Sequence, residues 1–170
     1  MQVDCAECLL QIGRALEQID RQNKNNLNIN RSCKVLSQAA KIFESNFGKG
    51  DIRTAACYEK LAKLTAERNE VDLDKAGFYS KKALDSAQAA LLLDPYSEQN
   101  SVVLSRCITR YANIKFQRGQ PCSACALGSE ASMSLRYAQP ENNIEHSKIF
   151  ANNARMWSEL PKFNYYPAKP

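Results

Sequence analysis

Two Cys-x-x-Cys pairs, Cys5/Cys8 and Cys122/Cys125, and a lone histidine, His146, are the residues whose types and spacing could do chemistry. Four thiolate or imidazole ligands in a tetrahedron hold structural zinc, and two such pairs could supply them. A Cys-x-x-Cys that follows a strand exchanges disulfides. A histidine beside a nucleophile or an acid moves protons. The surroundings argue against all three. Both pairs lie within or at the start of segments with helical periodicity, without zinc-knuckle turn residues between the cysteines, and no strand pattern is visible. His146 belongs to no Ser-His-Asp order. Phe47-Gly-Lys-Gly50-Asp51 lacks the spacing of a phosphate-binding loop and reads as a helix stop followed by a helix cap. No catalysis, metal or cofactor is expected.

The elements that must position these residues are helices, and one of them is written four times. Cys8 to Gly13 (CLLQIG) returns as Cys57 to Ala62 (CYEKLA), as Cys107 to Ala112 (CITRYA), and more loosely as His146 to Ala151 (HSKIFA). The first two spacings are near 50 residues and the last is 39. Between the copies a second helix repeats. Cys33, Leu36, Ser37 and Ala40 match Ala76, Tyr79, Ser80 and Ala83, and then Ala124, Leu127, Gly128 and Ala131. A small residue, a large apolar one at +3, a small one at +4 and Ala at +7 share one helix face. The small residues let a neighbouring backbone approach, and the large one fills the groove beside them. Self-similarity at such a period indicates stacked helical hairpins, none of which can bury its apolar face alone.

This pattern resembles the tetratricopeptide repeat family, in a long-period, kinesin-light-chain-like form. Tyr58, Leu61, Ala62, Leu64, Ala76, Tyr79, Ala83 and Asp94-Pro95 carry the likeness best, and it spans roughly residues 5 to 157. The period is longer than the usual 34 residues, and the hallmark tryptophan of the first helix is absent. The resemblance implies an all-α, right-handed superhelical stack of about seven helices in antiparallel hairpins. It also implies that the first helix of each hairpin lines a concave face. By that likeness Arg14, Lys63, Asn113 and Asn152 face the groove just after the Gly or Ala. Gln11, Lys60, Arg110 and Ile149 lie two residues before it, and Gln18, Glu67, Gln117 and Met156 one turn beyond. With Arg155 added, the peptide-binding set expected on the concave face is Arg14, Lys60, Lys63, Arg110, Asn113, Asn152 and Arg155. Amides can hold an extended peptide by its backbone, and cations can pair with its carboxylates.

The expected function is therefore a scaffold or adaptor, not an enzyme, that binds an extended or helical, acidic segment of another protein. The alternative is a helical regulatory or substrate-binding domain of a larger enzyme, such as a lysine methyltransferase. The bulk properties fit either. With 170 residues, 44% of them apolar, the chain can bury one core. The net charge of +5 is dispersed, without the clustered cations and stacking aromatics of a nucleic-acid binder. No run is long enough to span a membrane, and the N-terminus lacks a basic-then-apolar leader, so a cytoplasmic or nuclear protein is expected. Seven cysteines, an odd number, argue for reduced thiols. Cys8, Cys33, Cys57 and Cys107 occupy small packing slots, and burial is expected of Cys33, Cys57 and Cys107.

Along the chain, helices are expected over about 4–19, from Asn30 or Ser32 to Phe47, and from the Asp51 cap to about Asn69. Further helices should follow over Asp72 to Asp94, from Ser97 towards Gly119, from Pro121 to about Ala138, and over about 142–157. Residues 20–30 read as a polar loop. The repeat domain is placed at 1–158 and a Pro/aromatic tail at 159–170, with Phe163, Tyr165 and Tyr166 available to cover an open end.

Overall fold

The computed structural model describes residues 2–23, 28–67, 72–138 and 143–163. They form seven helices: α1 (Gln2–Asn23), α2 (Ile29–Phe47), α3 (Ile52–Ala66), α4 (Leu73–Leu93), α5 (Glu98–Gln117), α6 (Pro121–Ala138) and α7 (Asn143–Glu159). A 3-10 turn over Leu160–Phe163 follows. There is no strand among the described residues. The chain is all-α, as its periodicity predicts.

The local stop and start signals act where the sequence places them. Asp51 accepts from the Arg53 amide at 2.9 Å, Asp72 from the Lys75 amide at 2.8 Å, and Ser97 from the Asn100 amide at 3.2 Å. Each satisfies a first-turn N–H that has no partner within its helix. Gly48, with φ of 81° and ψ of −179°, takes an extended, positive-φ conformation open to glycine where α2 ends. Pro121 opens α6, where its missing N–H costs nothing.

Two boundaries differ from expectation. Helix α1 continues through Asn23, because residues 20–23 contain no Gly or Pro and the polarity of a segment does not by itself end a helix. Only 24–27 of the expected loop, and the expected end of the third helix near Asn69, lie outside the described residues. Helix α2 begins at Ile29, and Ser32 is not its cap. Ser32 is buried and donates to the Gly13 carbonyl at 3.1 Å, joining α2 to α1. The expected tail boundary also moves. Glu159 still belongs to α7, and Leu160 packs beside the buried cluster of Ala112, Phe116, Ala124, Cys125 and Met156. Tyr165 and Tyr166 lie outside the described residues.

Consecutive helices pack on each other throughout, forming hairpins α1/α2, α3/α4 and α5/α6 with α7 added at the end. Leu36, Phe43, Leu61, Ile108 and Leu135 are fully buried between them. Each such side chain contributes roughly 1.5–3 kcal/mol by leaving water. The odd-numbered helices also meet one another, α3 with α5 and α5 with α7, whereas the even-numbered ones share no substantial interface. The odd helices therefore form the tighter, inner side of the stack, and the even helices splay on the outer side.

The even-helix frame holds best in α4 and α6, where Ala76, Ser80, Ala83, Ala124, Gly128 and Ala131 are buried and Tyr79 and Leu127 half-buried; in α2, Leu36 and Ala40 are buried and Cys33 and Ser37 half-buried. The odd-helix frame holds only in the interior. In α3, Cys57, Leu61 and Ala62 are buried, and in α5 Cys107 and Ala112 are. In α1, Cys8 and Ile12 are exposed, and the buried stripe is Ala6, Leu10, Gly13 and Glu17. In α7, Phe150 and Ala151 are exposed, and the stripe is Ile149, Asn153 and Met156. Ile149 and Met156 are thus core residues, not groove residues. The cause is geometric. Interior helices have neighbours on both flanks and bury several stripes, so matching letters coincide with burial. A terminal helix buries one stripe, and its phase is set by its single even-numbered partner.

Candidate functional site

The residues expected on the inner face are there, but most are already engaged. The Lys63 ammonium is buried and pairs with the equally buried Glu17 carboxylate of α1. Lys60 reaches the same carboxylate at 3.2 Å. One step along the stack, Arg110 of α5 donates to Glu59 of α3 at 3.2 Å. At the next step, Arg155 of α7 donates to Asn113 of α5 at 3.0 Å and to Asn152 at 3.3 Å. A polar ladder therefore crosses the inner face, its acceptor on one odd helix and its cation on the next. Lys63 is not the exposed groove residue that the resemblance implies. It lies 6% exposed, beside the Glu17 carboxylate of α1. The Asn152 Nδ2 is buried and has no acceptor among the described residues.

Arg14 stands apart from the ladder. It lines a groove of about 620 Å³ that crosses α1, α3 and α5 nearer their N-terminal halves. Leu10, Ile52, Ala56, Val102 and Val103 give the groove an apolar lining, and Arg14, Arg53 and Arg106 give it cations. Arg53 is fixed in place. It donates to both oxygens of Asp51, at 3.0 and 2.8 Å, lies 3.6 Å from Glu7, and stacks over the rings of Phe43 and Phe47 at 4.9 and 4.2 Å. The hydrogen bond to Asp51 holds its guanidinium pKa above the ordinary value. Arg14 and Arg106 are exposed, and among the described residues neither has a carboxylate within ion-pair distance. Glu98 is the groove's own acid. The site can therefore receive a chain that carries negative charge and an apolar side chain together.

Arg53 and Arg106 were not singled out in the sequence. Arg106 immediately precedes the frame residue Cys107, and it lies four residues before Arg110, hence on the same helix face. That spacing was the available signal. Arg53 offered none, since a first-turn cation beside an aspartate cap reads as local pairing.

The other chemical candidates separate. Cys5 and Cys8 lie exposed on α1, whereas on α6 Cys122 is exposed and Cys125 buried. Helix α1 packs on α2, and α6 on α5 and α7. Among the described residues no group of three or more His, Cys, Asp or Glu side chains is placed to hold a metal ion. His146 lies edge-on to Phe150, with ring centroids 6.3 Å apart, and among the described residues its Nε2 has no hydrogen-bond partner. No helix among the described residues is long and apolar enough to cross a membrane.

Cys57 and Cys107 fill packing slots at 0% exposure, while Cys33 is only half-buried. Burial pushes the Cys57 thiol up to about 12 from an ordinary 9.0, and raises Cys107 further. Only a thiolate reacts with an alkylating reagent. Iodoacetamide at pH 8 should therefore label Cys5, Cys8 and Cys122 of the folded protein and leave Cys57 and Cys107 untouched until denaturant is added. Peptide mapping after a timed quench checks this. Early modification of Cys57 or Cys107 would mean that the interior frame is open.

No protein-family model matches the chain, and no curated protein matches it either.

Proposed function

We propose that this chain is a protein-interaction module of the tetratricopeptide kind, a scaffold or adaptor that holds an acidic segment of a partner against its odd-numbered helices. The observation that carries this reading is the groove across α1, α3 and α5, where Arg14 and Arg106 flank an apolar lining and, among the described residues, neither has a carboxylate within ion-pair distance. Guanidinium groups suit carboxylates because their forked N–H donors match two oxygens at once. The apolar lining adds burial that an acidic side chain alone would not gain. The seat of the interaction is thus narrower than the seven-residue set read from the sequence. It keeps Arg14, adds Arg53 and Arg106, and leaves Lys60, Lys63, Arg110 and Arg155 as ties within the fold.

A ten-residue peptide of alternating Glu and Leu, labelled with a fluorophore, is a suitable probe, with its Lys/Leu counterpart as control. The acidic peptide should bind more tightly, and its affinity should fall as salt is raised, because exposed charges are screened beyond about 8 Å at physiological ionic strength. Arg14→Glu with Arg106→Glu should weaken binding by about 1 kcal/mol or more per site, since each exposed pair contributes up to about 1 kcal/mol and reversal adds repulsion. Circular dichroism should show an unchanged fold, as both side chains are exposed. Equal binding of the two peptides, or undiminished binding by the folded double variant, would sink the proposal.

A further inference from the structure

Both ends of the stack leave apolar side chains uncovered. Helix α1 exposes Cys5, Cys8, Ile12 and Ile19. At the other end α7 exposes Phe150 and Trp157, which line a groove. Interior odd helices are each gripped by two even helices, α3 by α2 and α4, and α5 by α4 and α6. Helix α7 has α6 alone.

The residues on α7 fall into three stripes. Asn152 and Arg155 face α5, where Arg155 meets Asn113. Ile149, Asn153 and Met156 are buried. Phe150, Ala154 and Trp157 are each one residue further on, about 100° around the helix. Phe150 and Trp157 are 42% and 55% exposed. Together with Met133 and Arg136 of α6 they line a groove of about 370 Å³. This groove continues the α6–α7 interface on the outer side of the stack, at the place where an eighth, even-numbered helix would lie.

We infer that this groove binds an amphipathic helix of a partner protein, which packs on α7 as α6 packs on α5. The stack itself specifies the occupant. Its even helices run 18 to 21 residues and share the frame of a small residue, a large apolar one at +3, a small one at +4 and Ala at +7. Ala154 is the small residue of α7 over which a large side chain can lie, between Phe150 and Trp157. Arg136, whose guanidinium sits 5.5 Å from the centre of the Phe150 ring, is an exposed cation at the rim, so an acid on the occupant's flank has a partner. The site is separate from the arginine groove. It lies on the outer side of the last hairpin, and none of its lining residues is shared.

Trp157 is the chain's single tryptophan, so its fluorescence reports on this groove alone. The probe is a synthetic peptide with the sequence of α4, residues 73–93. It has the frame Ala76, Tyr79, Ser80 and Ala83, two aspartates, and no tryptophan. Titrated into the full chain, it should give a saturable blue shift of Trp157 emission and gain helicity. A scrambled peptide of the same composition should give neither. Met133→Ser with Phe150→Ser, both at exposed positions, should weaken the response at least about tenfold without loss of fold. Arg14→Glu with Arg106→Glu should leave it unchanged, which keeps this test independent of the acidic-segment reading. No shift at any soluble peptide concentration, or a shift that survives in the folded serine variant, would overturn the inference. A blue shift that grows with protein concentration in the absence of peptide would also overturn it, since the groove would then be filled by a second copy.

Discussion

Lys63→Glu should cost about 3–5 kcal/mol of folding stability, the range found when a buried ion pair loses one partner. The substitution places a second carboxylate beside Glu17, and both positions lie under 8% exposed. Water cannot screen the repulsion there, and Lys60, at 3.2 Å from Glu17, can neutralise only one of the two charges. The swapped pair, Lys63→Glu with Glu17→Lys, should recover much of the loss. Urea unfolding of the two single variants and the double variant gives the coupling directly. A Lys63→Glu protein with the wild-type midpoint would mean that Glu17 and Lys63 do not meet in a closed environment. This result also governs how binding studies are read. A charge reversal at Lys63 that abolishes partner binding would report an unfolded α1/α3 contact, whereas Arg14 and Arg106 can be reversed without touching the core.

Gly128→Ala should destabilise the protein by about 1–3 kcal/mol, although alanine in place of glycine within a helix ordinarily gains about 1 kcal/mol. An added Cβ would overlap Asn153 Oδ1 and sit 3.0 Å from the terminal methyl of Met156. Asn153 cannot swing aside freely. Its Nδ2 donates to the Gly128 carbonyl and to Ser132 Oγ, both at 2.8 Å, from a site 8% exposed. The cost should shrink when Asn153 is removed, so the double variant Gly128→Ala with Asn153→Ala should be less than additive. Thermal unfolding of the set provides the measurement. A stabilised Gly128→Ala would show that α6 and α7 pack less closely than the contact between Gly128 and Asn153 requires.

The parts of this fold that were legible in the sequence are those decided locally or by repetition. The caps at Asp51, Asp72 and Ser97, the stop at Gly48 and the start at Pro121 depend on a few adjacent residues, and they occur where the letters put them. The even-helix frame was legible because α2, α4 and α6 occupy equivalent surroundings. The odd-helix frame failed at Cys8, Ile12 and Phe150, because equivalence ends with the stack and sequence similarity does not mark that end. The functional residues were the least legible. Whether a cation on an odd helix is available or tied depends on which acid the neighbouring helix presents. Glu17 lies 43 residues from Lys60 and 46 from Lys63, and Glu59 lies 51 from Arg110. No local pattern expresses such a pairing. Arg14 was found and Arg106 missed for the same reason: a side chain's freedom is a property of the assembled face.

The polar ladder lies on one side of the stack only. Glu17 with Lys60 and Lys63, Glu59 with Arg110, and Asn113 with Arg155 each stitch one odd helix to the next, while among the described residues the even helices have no corresponding ties. A bar stitched along one surface resists bending unequally. Curving it so that the stitched side lengthens pulls directly on charged contacts, whereas curving it the other way presses together helices that already touch. The unstitched side can fan open or shut with little more than a rotation of each hairpin about its neighbour. The molecule is therefore built as a one-sided spring, stiff against straightening and compliant in the spread of its outer helices.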